Sequence, residues 1–151
     1  MEISQSIARY CEYQERCHSE VRNKLYELGC YQKEVEQHIT ELIERGLLNE
    51  ERFALAYARG KFRMKQWGRV KIKQELRLRK ISEYCIKKAM TEIDEEEYDA
   101  VLNKLMDKKL HELRGERSEA KLKGKVFRYI IQKGYEMEIV TNLLTEKIKN
   151  K

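Results

Sequence analysis

The chain predicts an all-α fold, an elongated array of three tandem three-helix repeats that are each a helix-turn-helix-like module. Three observations carry this. An apolar pattern recurs three times, proline is absent from all 151 residues, and charged residues make up 38% of the chain without the alternating apolar runs that mark strands. The pattern is a pair of apolar residues four apart, a helix-ending position, then a second apolar pair. Its copies are Val21, Leu25, Gly29, Val35, Ile39; then Ile72, Leu76, Lys80, Ile86, Met90; then Val126, Ile130, Gly134, Val140, Leu144. The step from Val21 to Ile72 is 51 residues and that from Ile72 to Val126 is 54. Repetition at roughly 50 residues marks units that cannot bury an apolar face alone and stack on their neighbours. With no Pro/Ser-rich linker, the modules divide at 1–48, 49–93 and 94–151. Modules of this size lie near the lower limit of a self-sufficient core.

In the first module Ile3, Ile7 and Tyr10 form one face of an opening helix. Ser19 reads as the N-cap of a second helix, with Glu20 as its first-turn acid, and Gly29 as its left-handed stop. A third helix carries Val35, Ile39, Leu42 and Ile43 and ends at Gly46. The second module opens on Asn49 as an N-cap followed by Glu50 and Glu51. Phe53, Tyr57, Gly60 and Met64 then fall on one stripe, with Ala54, Ala56 and Ala58 permitting close helix approach. Gly68 interrupts before a helix over Arg69 to Lys80, and Ser82 caps the next, which carries Ile86, Ala89, Met90 and Ile93. The third module starts in the acidic run Asp94 to Asp99 and continues through Val101, Leu102, Leu105, Leu110 and Leu113. Its second helix follows Ser118 and ends at Gly134, and the last runs from about Glu136 to Ile148. Tyr13, Tyr26, Tyr31 and Tyr129 read as module packing.

Charge is distributed unevenly. Residues 1–58 hold 7 Lys/Arg against 11 Asp/Glu, residues 59–88 hold 12 against 2, and residues 89–151 hold 13 of each. One short segment therefore carries the whole positive excess behind the net charge of +6. The four cysteines, Cys11, Cys17, Cys30 and Cys85, form no CxxC pair, no signal peptide precedes them, and no apolar stretch approaches the roughly 20 residues of a membrane span. A soluble cytoplasmic protein is the expectation.

The basic segment holds the main candidate site. Arg69, Lys73, Arg77 and Lys80 fall at helical spacing, as one stripe opposite Ile72 and Leu76. Arg59, Lys61, Arg63 and Lys65 lead into it, Lys71 and Arg79 lie within it, and Trp67 sits at the bend between. A cationic stripe without interspersed acids suits DNA phosphates, through counterion release, or an acidic protein groove. Lys121, Lys123, Lys125 and Arg128 extend the candidate track, although Glu116 and Glu119 lie nearby. Trp67 could stack on a base or plug a seam between modules, and its position at a helix junction favours the seam.

Catalytic patterns fail on inspection. His111-Glu112 begins like HExxH, but Gly115 stands where the second zinc ligand belongs. Cys17 and His18 point about 100° apart on a helix, which does not build a nucleophile pair. The run Asp94 to Asp99 is explained by a helix start rather than by a Mg²⁺ nuclease, and no glycine-rich phosphate loop is present. The expectation is a non-enzymatic protein with no cofactor and no metal.

Three stretches resemble the RecX family, the modulators of the recombinase RecA. Arg16-Cys-His-Ser-Glu-Val-Arg-Asn-Lys-Leu25 is similar to the family's opening region. Gly46-Leu-Leu-Asn-Glu-Glu-Arg-Phe-Ala54 resembles G-(Y/L)-(L/I)-(N/D)-D-x-x-F-A, with Glu50 in place of Asp, and Trp67-Gly-Arg-Val-Lys-Ile-Lys-Gln-Glu-Leu-Arg77 resembles K-G-x-x-x-I-x-x-E-L-R. Lys80 stands where the family often has Gly before Ile81. The resemblance implies a monomeric array lying in the groove of a RecA–ssDNA filament, contacting adjacent subunits and restraining recombinase, ATPase and coprotease activity in DNA repair and the SOS response. An array reaching roughly 60 Å would touch more than one subunit, with phosphate contacts to ssDNA or dsDNA and none to membranes. The alternative is a helix-turn-helix protein that binds DNA without RecA through Arg69 to Lys80, where only Gln74 is suited to reading bases.

Overall fold

The structure, a computed structural model, describes residues 2–150. Among the described residues are nine α-helices and no strand: α1 Ile3–Tyr13, α2 His18–Glu27, α3 Gln32–Glu44, α4 Glu50–Lys65, α5 Arg69–Leu78, α6 Glu83–Met90, α7 Glu95–Glu112, α8 Glu119–Lys133 and α9 Met137–Lys149. They pack as two units, Met1–Tyr57 with Glu75–Met90, and Ala58–Gln74 with Thr91–Lys151. Helices α4 and α5 each contribute residues to both.

In the first unit α1 packs on α2 and α2 on α3. Ile7, Cys11, Val21, Leu25, Cys30, Val35, Ile39, Leu42 and Leu48 form its core cluster. In the second, α7 packs on α8 and α8 on α9. Leu102, Leu105, Met106 and Leu110 of α7 are buried there, as are Leu122, Val126 and Ile130 of α8 and Val140 and Leu144 of α9. Each large apolar side chain so removed from water contributes roughly 1.5–3 kcal/mol before entropy is counted. The recurring apolar positions are all buried except Met90, which is half-buried. The helix-ending position has φ +96° at Gly29, +60° at Lys80 and +100° at Gly134. Lys80 thus adopts the left-handed geometry that its repeat position demands, at a cost of about 1–2 kcal/mol that glycine avoids.

Local chemistry sets the helix starts. Asn49 accepts from the Arg52 amide (2.9 Å), Ser82 from Cys85 (3.2 Å), Asp94 from Glu97 (3.0 Å) and Ser118 from Lys121 (3.3 Å). Three local expectations are corrected. Helix α2 begins at His18, with Cys17 rather than Ser19 at its N-cap. The preceding Gln14 is extended, and Glu20 reaches back to accept from the Cys17 amide at 3.0 Å. In α4 Phe53 is buried, but the buried face continues through Ala54, Ala58 and Phe62, while Met64 is 82% exposed. The small alanines admit close packing there. Tyr13, Tyr26 and Tyr31 are exposed rather than packed, because the smaller neighbours Cys11 and Cys30 take the core positions.

The second unit is closed by a backbone seam between the start of α5 and the end of α8. The amides of Gly68 and Val70 donate to the carbonyls of Lys133 (2.8 Å) and Gly134 (2.9 Å). Donors at the start of one helix thus meet acceptors at the end of another, which satisfies two polar groups at each end and brings a positive dipole end to a negative one. The approach requires two glycines. A Cβ on Gly68 would lie 2.3 Å from the Gly134 carbonyl oxygen, and one on Gly134 would lie 2.2 Å from the Lys71 Cβ. Gly134 also needs its positive φ. Gly134→Ala is therefore expected to destabilise the protein by roughly 2–4 kcal/mol, through both strain and steric displacement. Gly115→Ala, with open space around it, should change stability by less than about 0.5 kcal/mol. Urea unfolding followed by circular dichroism reads both, and equal midpoints for the two variants would contradict a close-packed seam.

Candidate nucleic-acid interface

The seam gathers a polar network beneath the basic segment. Tyr98 of α7 is buried, its ring 5.1 Å from that of buried Tyr135 and 5.7 Å from Phe62. Its hydroxyl accepts from the Arg69 amide (3.0 Å), another first-turn donor of α5, and donates to the Glu136 carboxylate. Arg69 turns its guanidinium over the Tyr98 ring at 4.0 Å and donates to Glu136 and Glu95, each at 2.7 Å. Tyr135 donates to the Gln66 carbonyl at 2.8 Å, and Lys133 to that of Lys65 at 2.8 Å. The exposed carbonyls at the end of α4 are thereby satisfied as well.

These contacts shift the titrating groups in consistent directions. Burial, then the hydrogen bond to Glu136, pushes the Tyr98 phenol far above its usual range. Burial and the Glu136 charge push Tyr135 up. Burial opposes the charge on Arg69, but the carboxylates of Glu95 and Glu136 outweigh it and raise its pKa. Lys133 moves the other way, lowered by burial and by the positive charges of Lys71 and Lys65.

The expectation of one continuous unneutralised stripe is corrected here. Arg69 lies three residues before Ile72, only about 60° around the helix, so it turns toward the core. Its side chain is 16% exposed and its charge is taken up by two carboxylates. Arg59 pairs with Glu92 (2.6 Å), Arg63 with Glu97 (3.8 Å), Arg77 with Glu83 (2.8 Å), and Arg79 with Glu75 (3.0 Å) while lying over Tyr57. On α8, Lys123 pairs with Glu119 (3.4 Å) and Lys125 with Glu116 (2.9 Å), whereas Lys121 and Arg128 are exposed. Among the described residues no carboxylate pairs with Lys65, Lys71, Lys73 or Lys80. Trp67 is half-buried, with the ammonium groups of Lys71 and Lys61 at 4.4 and 5.0 Å from its ring.

Within the second unit the structure thus brings Lys61, Lys65, Trp67 and Lys71 together and adds Lys133, which sequence reasoning missed. The available signal was its place immediately before Gly134, the third copy of the helix-ending position. The acidic run Asp94 to Asp99 serves the fold. Asp94 caps α7, Glu95 holds Arg69 and Glu97 faces Arg63.

Comparison with known proteins places these features in a family context. Residues 49–90 match the family model described as RecX, second three-helix domain, and residues 95–144 match RecX, third three-helix domain. The regulatory protein RecX of Clostridium perfringens strain 13 is 32% identical over 146 residues, covering 96% of this chain and 68% of the relative. That of Pelodictyon phaeoclathratiforme is 32% identical over 131 residues, covering 85% and 79%. The crystal structure of RecX from Lactobacillus salivarius superposes with a TM-score of 0.82 at 22% identity, covering 95% of this chain and 92% of that one.

The Tyr98 network generates a prediction with a definite sign. Its folded-state pKa is raised, so its contribution to stability is complete below the unfolded tyrosine value of about 10 and is lost as pH rises beyond it. Tyr98→Phe should cost about 1–3 kcal/mol at neutral pH, and should reduce the further loss that the native chain suffers between about pH 9 and 11. Urea midpoints across that range measure it. An identical alkaline loss in both proteins would contradict the assigned network.

Proposed function

This chain belongs to the RecX family, whose known role is modulation of RecA, and from that premise we propose that it is a non-enzymatic cytoplasmic regulator that binds the groove of the RecA–ssDNA filament. There it inhibits recombinase, ATPase and coprotease activity. Modules 1–48, 49–93 and 94–151 are the repeat units that engage adjacent protomers, and linkage between them supplies affinity that one small module lacks. A regulator of this kind shifts the filament only by its differential affinity for active and inactive states.

The observation that carries the reading is the division of labour among cations. The positive excess of residues 59–88 persists after folding because Lys65, Lys71 and Lys73 lack carboxylate partners among the described residues. These lysines are the proposed filament contacts, with Lys61, Lys80, Lys121 and Arg128 in support. Arg59, Arg63, Arg77, Arg79, Lys123 and Lys125 would have to exchange an internal partner on binding, and Arg69 serves the fold. A recognition-helix reading of α5 is disfavoured, since its first turn, which would reach base edges, is engaged by α8 and Tyr98. No helix among the described residues is long and apolar enough to cross a membrane.

Titrating the protein into RecA with ssDNA should suppress ATP hydrolysis. Lys65→Glu, Lys71→Glu and Lys73→Glu combined should raise the half-inhibitory concentration by about tenfold or more. Reversing Arg77 alone should matter far less. Unchanged ATPase with the native chain would overturn the reading, and full potency of the triple variant would remove the lysines from it.

A further inference from the structure

We propose that Tyr10, Tyr13 and Arg16 form a docking site on the first unit for one protein carboxylate, an Asp or Glu side chain set beside an apolar residue on the recombinase. This rests on the regulatory reading above in taking the recombinase as the partner. It goes beyond that reading by placing a contact of different chemistry outside the lysine-bearing segments.

The backbone turn after α1 builds the site. Gln14 is extended, so the chain leaves the helix and Arg16 folds back over its last turn. There the Arg16 Nε donates to the Tyr10 carbonyl at 3.0 Å, one of the end-of-helix acceptors that α1 itself leaves without a partner. The guanidinium lies 3.8 Å over the Tyr10 ring centroid and 5.9 Å from that of Tyr13. Tyr10 is in turn packed against the core cluster of the unit, so the stack stands on a fixed base. One hydrogen bond and one ring thus hold the guanidinium in place before any partner arrives, and both Nη groups remain as donors. Beside them Tyr13 is 82% exposed and offers a flat apolar face.

The neighbouring acids are committed elsewhere. Glu15 pairs with Arg52 at 2.7 Å, and Glu20 accepts from the Cys17 amide at 3.0 Å. Arg16 therefore has no carboxylate partner among the described residues, although glutamates flank it in sequence. A planar fork of this kind matches a carboxylate through two parallel hydrogen bonds. Arginine and tyrosine are also the residues that most often dominate protein interfaces, where an apolar rim keeps water from the charged contact. The surroundings argue against a nucleic-acid strand. Residues 1–58 carry 7 Lys/Arg against 11 Asp/Glu, so a polyanion meets net repulsion there, whereas one carboxylate on a protein surface needs only the single fork. The affinity lost with this site adds to, and is independent of, that supplied by the lysines.

Binding of the full-length protein to RecA–ssDNA filaments, assembled with a slowly hydrolysed ATP analogue, is measured by co-sedimentation. Arg16→Gln should weaken it about tenfold. Arg16→Lys keeps the charge but loses the fork, and should recover only part of that loss. Tyr13→Ala should weaken binding about threefold or more. Tyr31→Ala, at a comparably exposed tyrosine of the same unit, should bind as the native chain does. Thermal melts establish that the variants fold. Should Arg16→Gln melt early through loss of its bond to Tyr10, Tyr13→Ala is scored instead, since that ring is exposed and its removal leaves the core intact. The proposal is overturned if folded Arg16→Gln or Tyr13→Ala binds filaments as tightly as the native chain, or if Arg16→Lys loses nothing. It is also overturned if Arg16→Gln weakens binding to oligo-dT alone as much as binding to filaments, which would make the strand the partner. Failure of the native chain itself to sediment with filaments is a different result, and counts against the regulatory reading as a whole.

Discussion

The contact between the backbones at Gly68 and Gly134 is the constraint on which the second unit depends. Two helix ends, each carrying unsatisfied polar groups, solve their problem by meeting. The amides of Gly68 and Val70 at the start of α5 donate to carbonyls at the end of α8, and the Tyr98 hydroxyl accepts from the Arg69 amide. Neither position tolerates a side chain. Once the backbones are this close, Tyr98, Tyr135, Arg69 and Glu136 are committed to one geometry. A partly buried ion pair such as that of Arg69 and Glu136 is weak support for net stability, but it penalises arrangements that leave one of its charges alone. The network therefore specifies how α5 sits on α8 more than it tightens the fold.

Folding sorts the cations by use. Arginines in and around residues 59–79 find carboxylates within the protein, whereas Lys65, Lys71, Lys73 and Lys133 have none among the described residues. The difference follows from chemistry. A guanidinium fork is rewarded by fixed, planar partners, while an ammonium on a flexible stem loses little by remaining in solvent. A segment that is uniformly basic in sequence becomes, once folded, a structural set of arginines and a lysine set available to an anionic partner.

Much of this was legible in the chain. The threefold apolar pattern names the buried positions because a helix must turn the same residues inward in each copy, and even Lys80 adopts the left-handed stop of its repeat. Caps at Asn49, Ser82 and Ser118 follow from side-chain oxygens placed before apolar runs. What was illegible depends on residues distant in sequence. Gly68 and Gly134 each read as a local break, and nothing local says that they touch. Tyr98 and Tyr135 carry no periodic mark that separates them from exposed Tyr13 and Tyr31. Arg69 looks like any other member of a cationic stripe until Glu95 and Glu136 are brought to it.

Amide hydrogen exchange at Gly68, Arg69 and Val70 tests the central claim most directly. First-turn amides of a helix ordinarily lack partners and exchange quickly. Here all three should be protected to the same degree as the interior of α8 around Ile130, because opening them requires opening the unit. Exchange at those amides as fast as in the first turn of α9, with Ile130 still protected, would show that the seam does not hold and that the lysines are not assembled by it.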